Sequence, residues 1–417
     1  MISTLPTTTN RGSYAKRTVS PELSACMPTD SCLLGHCRRV AAVVQCIAHQ
    51  LFLASPVKVS VGAAALLHHS PVEDLPPVAG EEGLVPKLLR TFHNPAGAPE
   101  HLRLLAEIIH VANRFDELYE LRATEPRSPA VIVAELRRLA EENSWSMDPV
   151  NALENVGRET NVTSFAQSPQ PVFPQSALRI LRLLDQPESS AGQIERIAAA
   201  DPVVAGNLVR VANSALFTGY PEISTIRSAV MRLGYLTTRK IVLATVFRPV
   251  FTRPSMRPLL QHALEAAELA HHLAARAPAI DREEAFLCGL LHDVGKLLLD
   301  RLNLFDSARM QGLLDHGCPP VYAENLLIGC DHGKAGADIA AHWKLPARHV
   351  EAIRYHHQPE GIDSPMAHLL YLVEWRLGHL EDMPSAHRIG LSMGSMGVSE
   401  NSLEGWHNEQ SPVTLVA

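Results

Sequence analysis

Long apolar runs are missing from this chain. The best, Val59 to Leu67 and Ile241 to Phe247, fall well short of the roughly 18 residues that a membrane span requires, so no membrane association is expected. The opening stretch, MISTLPTTTNRGSYAKRTVS, holds no apolar segment of the secretory kind. Cysteine is sparse: there are seven, an odd number with no C-x-x-C pair. That usage points to a reducing compartment with buried or idle thiols, and so to a cytoplasmic location. Basic charge is also short, with 37 Lys and Arg against 44 Asp and Glu and a net charge of −7. General nucleic-acid binding, which needs a basic surface, is therefore excluded as an expectation. Histidine is absent from residue 111 to residue 261, yet seven lie between 36 and 110 and twelve between 262 and 379. Any chemistry is expected in those two flanks.

What is present is enough chain for two cores. Single hydrophobic cores stop growing near about 250–300 residues, and this chain has 417, of which 46% are apolar and 19% charged. Val40, Val43, Val44, Ile47 and Leu51 recur at helical spacing, as do Leu104, Leu105, Ile108 and Val111. Asp201-Pro202 reads as an N-cap followed by proline at the first helical position. Ile226 to Leu233 reads as a helix ended by a left-handed Gly234. No stretch alternates as a strand would, so the expected fold is all-α, with two helical-bundle domains. The expected boundaries are a disordered tail over 1–30, a first domain over 31–158, a linker over 159–172, a second domain over 173–391 and a flexible tail over 392–417.

The sharpest motif is Gly289-Leu-Leu-His-Asp-Val-Gly-Lys296. Leu287, Leu290, Leu291, Val294 and Leu298 form an apolar stripe that buries this segment as one helix, with His292 and Asp293 near its edge. A His and an Asp beside such a stripe are costly unless something satisfies them, and a divalent metal is the simplest partner. His262, His332, His356-His357 and Glu374 lie on other helices and extend the set. Such imidazoles and carboxylates can converge on one or two transition metals, with Asp293 able to bridge them. Lys296 could orient a phosphate or pair with Asp293.

In this order the residues resemble the HD superfamily of metal-dependent phosphohydrolases, and within it the HDOD group, the HD-related output domain. Phe173-Pro-Gln, Ala198-Ala-Ala-Asp-Pro202, Leu208-Val-Arg-Val-Ala-Asn-Ser214, Ala229-Val-Met-Arg-Leu-Gly234, Trp343-Lys-Leu-Pro346 and Ala352-Ile-Arg-Tyr-His-His357 carry the likeness over roughly 171–380. The resemblance implies an all-helical bacterial signal-transduction domain acting mainly through a protein partner. It also implies a metal set of His262, His292, Asp293, His332, His356, His357 and Glu374 for one or two ions of iron, manganese, nickel or zinc. Asp293 and Lys296 would be the catalytic pair if the site hydrolyses. Three departures bear on that. Glu374 stands where the superfamily has Asp, Pro258 where trinuclear members have Glu, and Gln-Pro-Glu-Gly follows His357 in place of Gly-Tyr-Pro.

The N-terminal histidine zone resembles an eroded HD-GYP domain. His36-Cys-Arg-Arg-Val40 is similar to the first-histidine helix, and Ala64-Ala-Leu-Leu-His-His69 to the HD segment, with His69 in place of Asp. Val72 takes the lysine position. Ile109 to Leu118 is similar to the terminal helix, with Asn113 in place of the ligating Asp. With both carboxylates lost, this domain is expected to be non-catalytic and to bind no metal. His271-His272 and His316 belong to no motif and are expected at the surface or on helix caps, and Trp343 and Trp375 in the core. Two functions remain open. One is a regulatory output module whose protein-binding surface lies on Ala177 to Phe247. The other is a metal-dependent phosphohydrolase acting on a nucleotide or cyclic dinucleotide.

Overall fold

Helix punctuation sets the architecture. In the computed structural model, Asp201 accepts hydrogen bonds from the Val203 and Val204 amides and opens the helix Pro202–Ala212. Thr225 caps Ile226–Leu233, and Asp281 accepts from the Glu283 and Glu284 amides to open Arg282–Leu291. Gly234 ends one helix and starts the next, Tyr235–Phe247. Its φ of 76° is positive, but with ψ at 165° it is not the left-handed cap expected. Only glycine adopts that backbone cheaply. The structure describes residues 26–75, 83–120, 128–159, 195–196, 198, 201–248, 256–301, 308–315, 318–378 and 386–398. The all-α expectation holds, since no strand occurs among them. The expected tail over 1–30 is described only from residue 26, and the expected linker 159–172 only at Glu159.

The described residues fall into two compact units. The first draws on Met1–Gln167, Leu302–Asp331 and Leu380–Ala386. Its centre is the long helix Ser31–Gln50, packed on Ser55–Leu66, Glu100–Glu120 and Asp148–Glu159. Val40, Val43, Val44 and Ile47 are fully buried there, with Ile108, Val111 and Phe115 from the facing helix. The helices Ala308–Asp315 and Pro320–Ile328 also belong to this unit, the second of them packing on Asp148–Glu159. The span 173–391, expected as one domain, thus contains a stretch that packs elsewhere. Tyr322 explains the attachment, since it is buried against Tyr119, Phe115 and Arg39.

The second unit draws on Ser168–Arg301, His332–His379 and His387–Ala417. Arg257–Ala274 packs closely on Arg282–Leu291 and also meets Pro365–Leu377, while His332–His342 packs on Ala347–Tyr355. The helix Ala386–Met396 runs past residue 392, where a tail was expected. Ser392 and Met396, one turn apart, both face inward, and Ser392 meets the Nδ1 of His368 at 3.0 Å. Residues 399–417 lie outside the described residues. No described helix is long and apolar enough to cross a membrane.

Candidate metal centre

The HDVG segment is not the edge of one continuous helix. Arg282–Leu291 stops with His292 as its C-cap, and Lys296–Arg301 begins four residues on. Between them run tight bonds from the Val294 amide to the Leu291 carbonyl and from the Lys296 amide to the Asp293 carbonyl. The break follows from Gly295. A Cβ there would lie 1.9 Å from the His332 carbonyl and 2.5 Å from the Gly336 amide. The helix carrying His332 is therefore pressed against this turn, and only glycine leaves room. The turn aims His292 and Asp293 into the core.

Six of the seven expected ligands are buried, and His357 is half-buried. They form two groups. His262, His292 and Glu374 make one, and Asp293, His332, His356 and His357 make the other; in each, the ligand atoms lie within 4.8 Å of one another. Asp293 faces both. Its Oδ2 is 3.4 Å from His262 Nε2 and 3.6 Å from His292 Nε2, and its Oδ1 is 3.3 Å from His332 Nε2. Glu374 Oε1 lies 3.0 Å from His262 Nε2 and 3.2 Å from His292 Nε2. The imidazoles are held from behind. His292 Nδ1 donates to the Gly289 carbonyl at 2.8 Å and His356 Nδ1 to the Ile353 carbonyl at 2.6 Å. Each Nε2 is thereby left turned inward, toward the carboxylates and the other rings.

Burial alone would raise the Asp293 carboxyl, but Lys296 and the imidazoles of His292, His332 and His262 hold it well below the usual carboxylate range. Burial likewise opposes ionisation of Glu374, and His262 and His292 overcome it. Burial works against a charged His292, yet Asp293 and Glu374 carry it up to about 8. His356 goes the other way, pushed down to about 3 by burial and by its neighbours His292 and His332. Lys296 Nζ binds Asp293 Oδ2 at 2.6 Å and keeps a partly exposed side chain.

These residues fit divalent metal ions. Asp293 Oδ1 and His356 Nε2 are buried polar atoms with no hydrogen-bond partner in the structure, an arrangement that is costly without a cation. The donor set, mixed nitrogen and oxygen with a carboxylate between two groups, suits transition metals.

In the first unit, His36, His68 and His69 also come together. His36 Nδ1 meets Asp116 Oδ2 at 2.7 Å, and Arg39 Nε and Nη2 donate to the same carboxylate at 2.9 and 3.0 Å. Asp116 is buried, but His36 and Arg39 keep it below its ordinary range. Arg39 and Asp116 each stand three residues from a motif position, His36 and Asn113, but their contact joins residues 77 apart in sequence and no local signal shows it. Asn113 turns to Glu117 at 2.8 Å. His271, expected at the surface or on a helix cap, is buried in the last turn of Arg257–Ala274 and meets Glu283 Oε1 at 3.2 Å. Trp343 is in the core as expected, and His316 is outside the described residues.

Comparison with known proteins fits this geometry. Residues 170–359 match the HDOD domain family, so the chain carries an HDOD domain. A solved structure from Marinobacter aquaeolei VT8, which carries a signal-transduction name, shares the helical fold at TM-score 0.50 and 22% identity, covering 56% of this chain and 55% of that one. An HDOD domain protein of unknown function from Geobacter sulfurreducens aligns at TM-score 0.49 and 23% identity, over 62% of this chain and 93% of its own. Among curated proteins, an uncharacterized protein of Treponema pallidum (strain Nichols) is 24% identical over 236 residues, or 53% of this chain and 45% of that protein. Ribonuclease Y of Mycoplasmoides gallisepticum is 31% identical over 107 residues, or 26% of this chain and 16% of that protein. The chain spans less than half the length of the curated relatives it matches.

Proposed function

We propose that this protein is a signalling output module whose HDOD domain carries a divalent-metal centre and acts mainly by binding a protein partner. One observation supports the partner-binding role above others. Of nine large hydrophobic side chains exposed among the described residues, five lie on a single stretch: Val203, Leu216, Tyr220, Met231 and Leu236. Met231 is 79% exposed and Tyr220 69%. Exposed apolar side chains mark interaction surfaces where they gather into one patch, and this stretch is the richest in them among the described residues. The expected surface, Ala177 to Phe247, begins in residues outside the described set.

In the same proposal, His262, His292, His332, His356, His357, Asp293 and Glu374 hold one or two ions of iron, manganese, nickel or zinc. A second reading, a metal-dependent phosphohydrolase of nucleotides or cyclic dinucleotides, is favoured by the position of Asp293 between the two groups. Bound ions would supply Lewis acidity to a phosphate ester. Lys296 could turn from Asp293 to orient that phosphate, and Asp293 would fix the spacing of the two groups. The eroded HD-GYP likeness of the first unit supports the regulatory reading.

The test uses purified full-length protein with manganese or ferrous iron and a panel of cyclic dinucleotides and nucleotides. The expected result is no turnover above that of Asp293→Ala, with partner binding lost in Met231→Glu and Tyr220→Ser. Clear turnover that vanishes in both Asp293→Ala and Lys296→Ala would overturn the regulatory reading.

A further inference from the structure

Loss of both carboxylates from the HD positions of the first unit argued that it holds no metal. The side-chain geometry points the other way. His36 Nδ1 donates a hydrogen bond to Asp116 Oδ2 at 2.7 Å, and His68 Nδ1 donates one to the Ala65 carbonyl at 2.6 Å. With both Nδ1 atoms occupied as donors, both Nε2 atoms of the neutral rings carry lone pairs, and these face each other at 3.1 Å. Two facing lone pairs repel unless a cation lies between them. The ring of His69 closes the group, 4.3 Å from that of His68 and 5.3 Å from that of His36, centre to centre. One nitrogen from each of the three lies within 4.8 Å of the others. Tetrahedral zinc–imidazole bonds of about 2.0–2.1 Å place neighbouring nitrogens about 3.3 Å apart, close to the separation seen.

We propose that His36, His68 and His69 bind one divalent ion of the zinc, copper or nickel class, with Asp116 fixing His36 from behind. Three neutral imidazoles suit these nitrogen-preferring ions and not magnesium or calcium, which need carboxylates. The carboxylate behind a ligating histidine is a recurrent support of such sites, since it sets the tautomer and the ring angle. Arg39 balances the charge of Asp116, so the ion keeps its positive charge and draws water or an anion as its fourth ligand. His68 is buried, His36 half-buried and His69 exposed, which leaves a route from solvent. This inference is independent of the function proposed above, because the second unit contributes none of the three ligands.

The experiment uses the full chain. In a His292→Ala/Asp293→Ala background, metal-stripped protein is titrated with zinc against a fluorescent chelator, and helix content is followed by circular dichroism. One equivalent is expected. It should be lost in His36→Ala and weakened at least tenfold in His69→Ala, whose exposed side chain is not needed for folding. Asp116→Asn should weaken it roughly 10–100-fold. In the otherwise unaltered chain, His36→Ala should lower the metal count by one. Absence of zinc, copper and nickel binding in folded protein would overturn the proposal, and the 3.1 Å contact would then hold a shared proton. Binding unchanged in both His36→Ala and His69→Ala would overturn it equally.

Discussion

Replacing Gly295 by alanine tests the centre of the second unit at its tightest point. The added methyl would sit 1.9 Å from the His332 carbonyl and 2.5 Å from the Gly336 amide. Ordinary contact begins near 3.4 Å, so the helix His332–His342 must retreat by about 1.5 Å. Both opposing atoms are backbone, so no side chain can swing aside. Overpacking of this kind costs about 1–3 kcal/mol, which for a unit of this size lowers a melting midpoint by about 2–4 °C per kcal/mol. The ligand effect is sharper. Metal–ligand distances hold within about 0.2 Å, and His332 leads the helix that must move. On the proposed metal reading, Asp293, His332, His356 and His357 should therefore lose their ion, while His262, His292 and Glu374 are less disturbed. Elemental analysis of tag-free protein, paired with a thermal scan, reads both effects. Gly206→Ala is the control, because nothing lies within 4 Å of its added Cβ. At that helical position alanine should stabilise by about 0.4–1 kcal/mol. A Gly295→Ala protein with full metal content and an unshifted midpoint would refute the packing argument.

Other outcomes follow from single contacts. Asp201→Ala should cost about 1 kcal/mol by removing the acceptor for the Val203 and Val204 amides, measurable by urea titration. Phe286→Ala removes a fully buried ring and should cost about 3–5 kcal/mol in the same assay. Glu283 is opposed by burial but held below its ordinary value by His271 and Arg239. Its stabilisation is therefore complete above about pH 4.5 and is lost as pH falls through the lower folded value. Glu283→Gln should flatten that acid limb of the stability profile, and an unchanged limb would refute the assignment. Met231→Glu, at a side chain 79% exposed, should leave stability within about 0.5 kcal/mol.

Much of the second unit was legible because its signals are local. The cap at Asp201, the span Ile226 to Leu233 and the stop at Gly234 each depend on a few neighbouring residues. The HD motif was legible as chemistry, since His and Asp beside a leucine stripe need a partner. Its local shape was not. The periodicity of Leu287, Leu290, Leu291, Val294 and Leu298 continues through the motif, whereas the backbone breaks after Leu291 because Gly295 meets a helix 37 residues later in sequence. The first-unit cluster escaped for a similar reason. His36 and Asp116 are 80 residues apart, and reading ligand charge alone hid the geometry of three imidazoles. Tyr322 falls inside the span 173–391 expected as the second domain, because nothing local tells a buried tyrosine which core it serves.

The stretch Leu302–Asp331 has a consequence for how this protein can be taken apart. It leaves the second unit after Arg301 and returns at His332, having packed in the first, so neither unit is a contiguous length of chain. A fragment cut at the expected linker would carry Ala308–Asp315 and Pro320–Ile328 without the helices that cover them, exposing Tyr322, Leu326 and Leu327. During synthesis the first core must wait for more than 300 residues before its last helices arrive, a long-range closure that slows folding. Once closed, a cut within the expected linker 159–172 would leave both fragments tied together by this embrace, and they should co-elute until denaturant parts them.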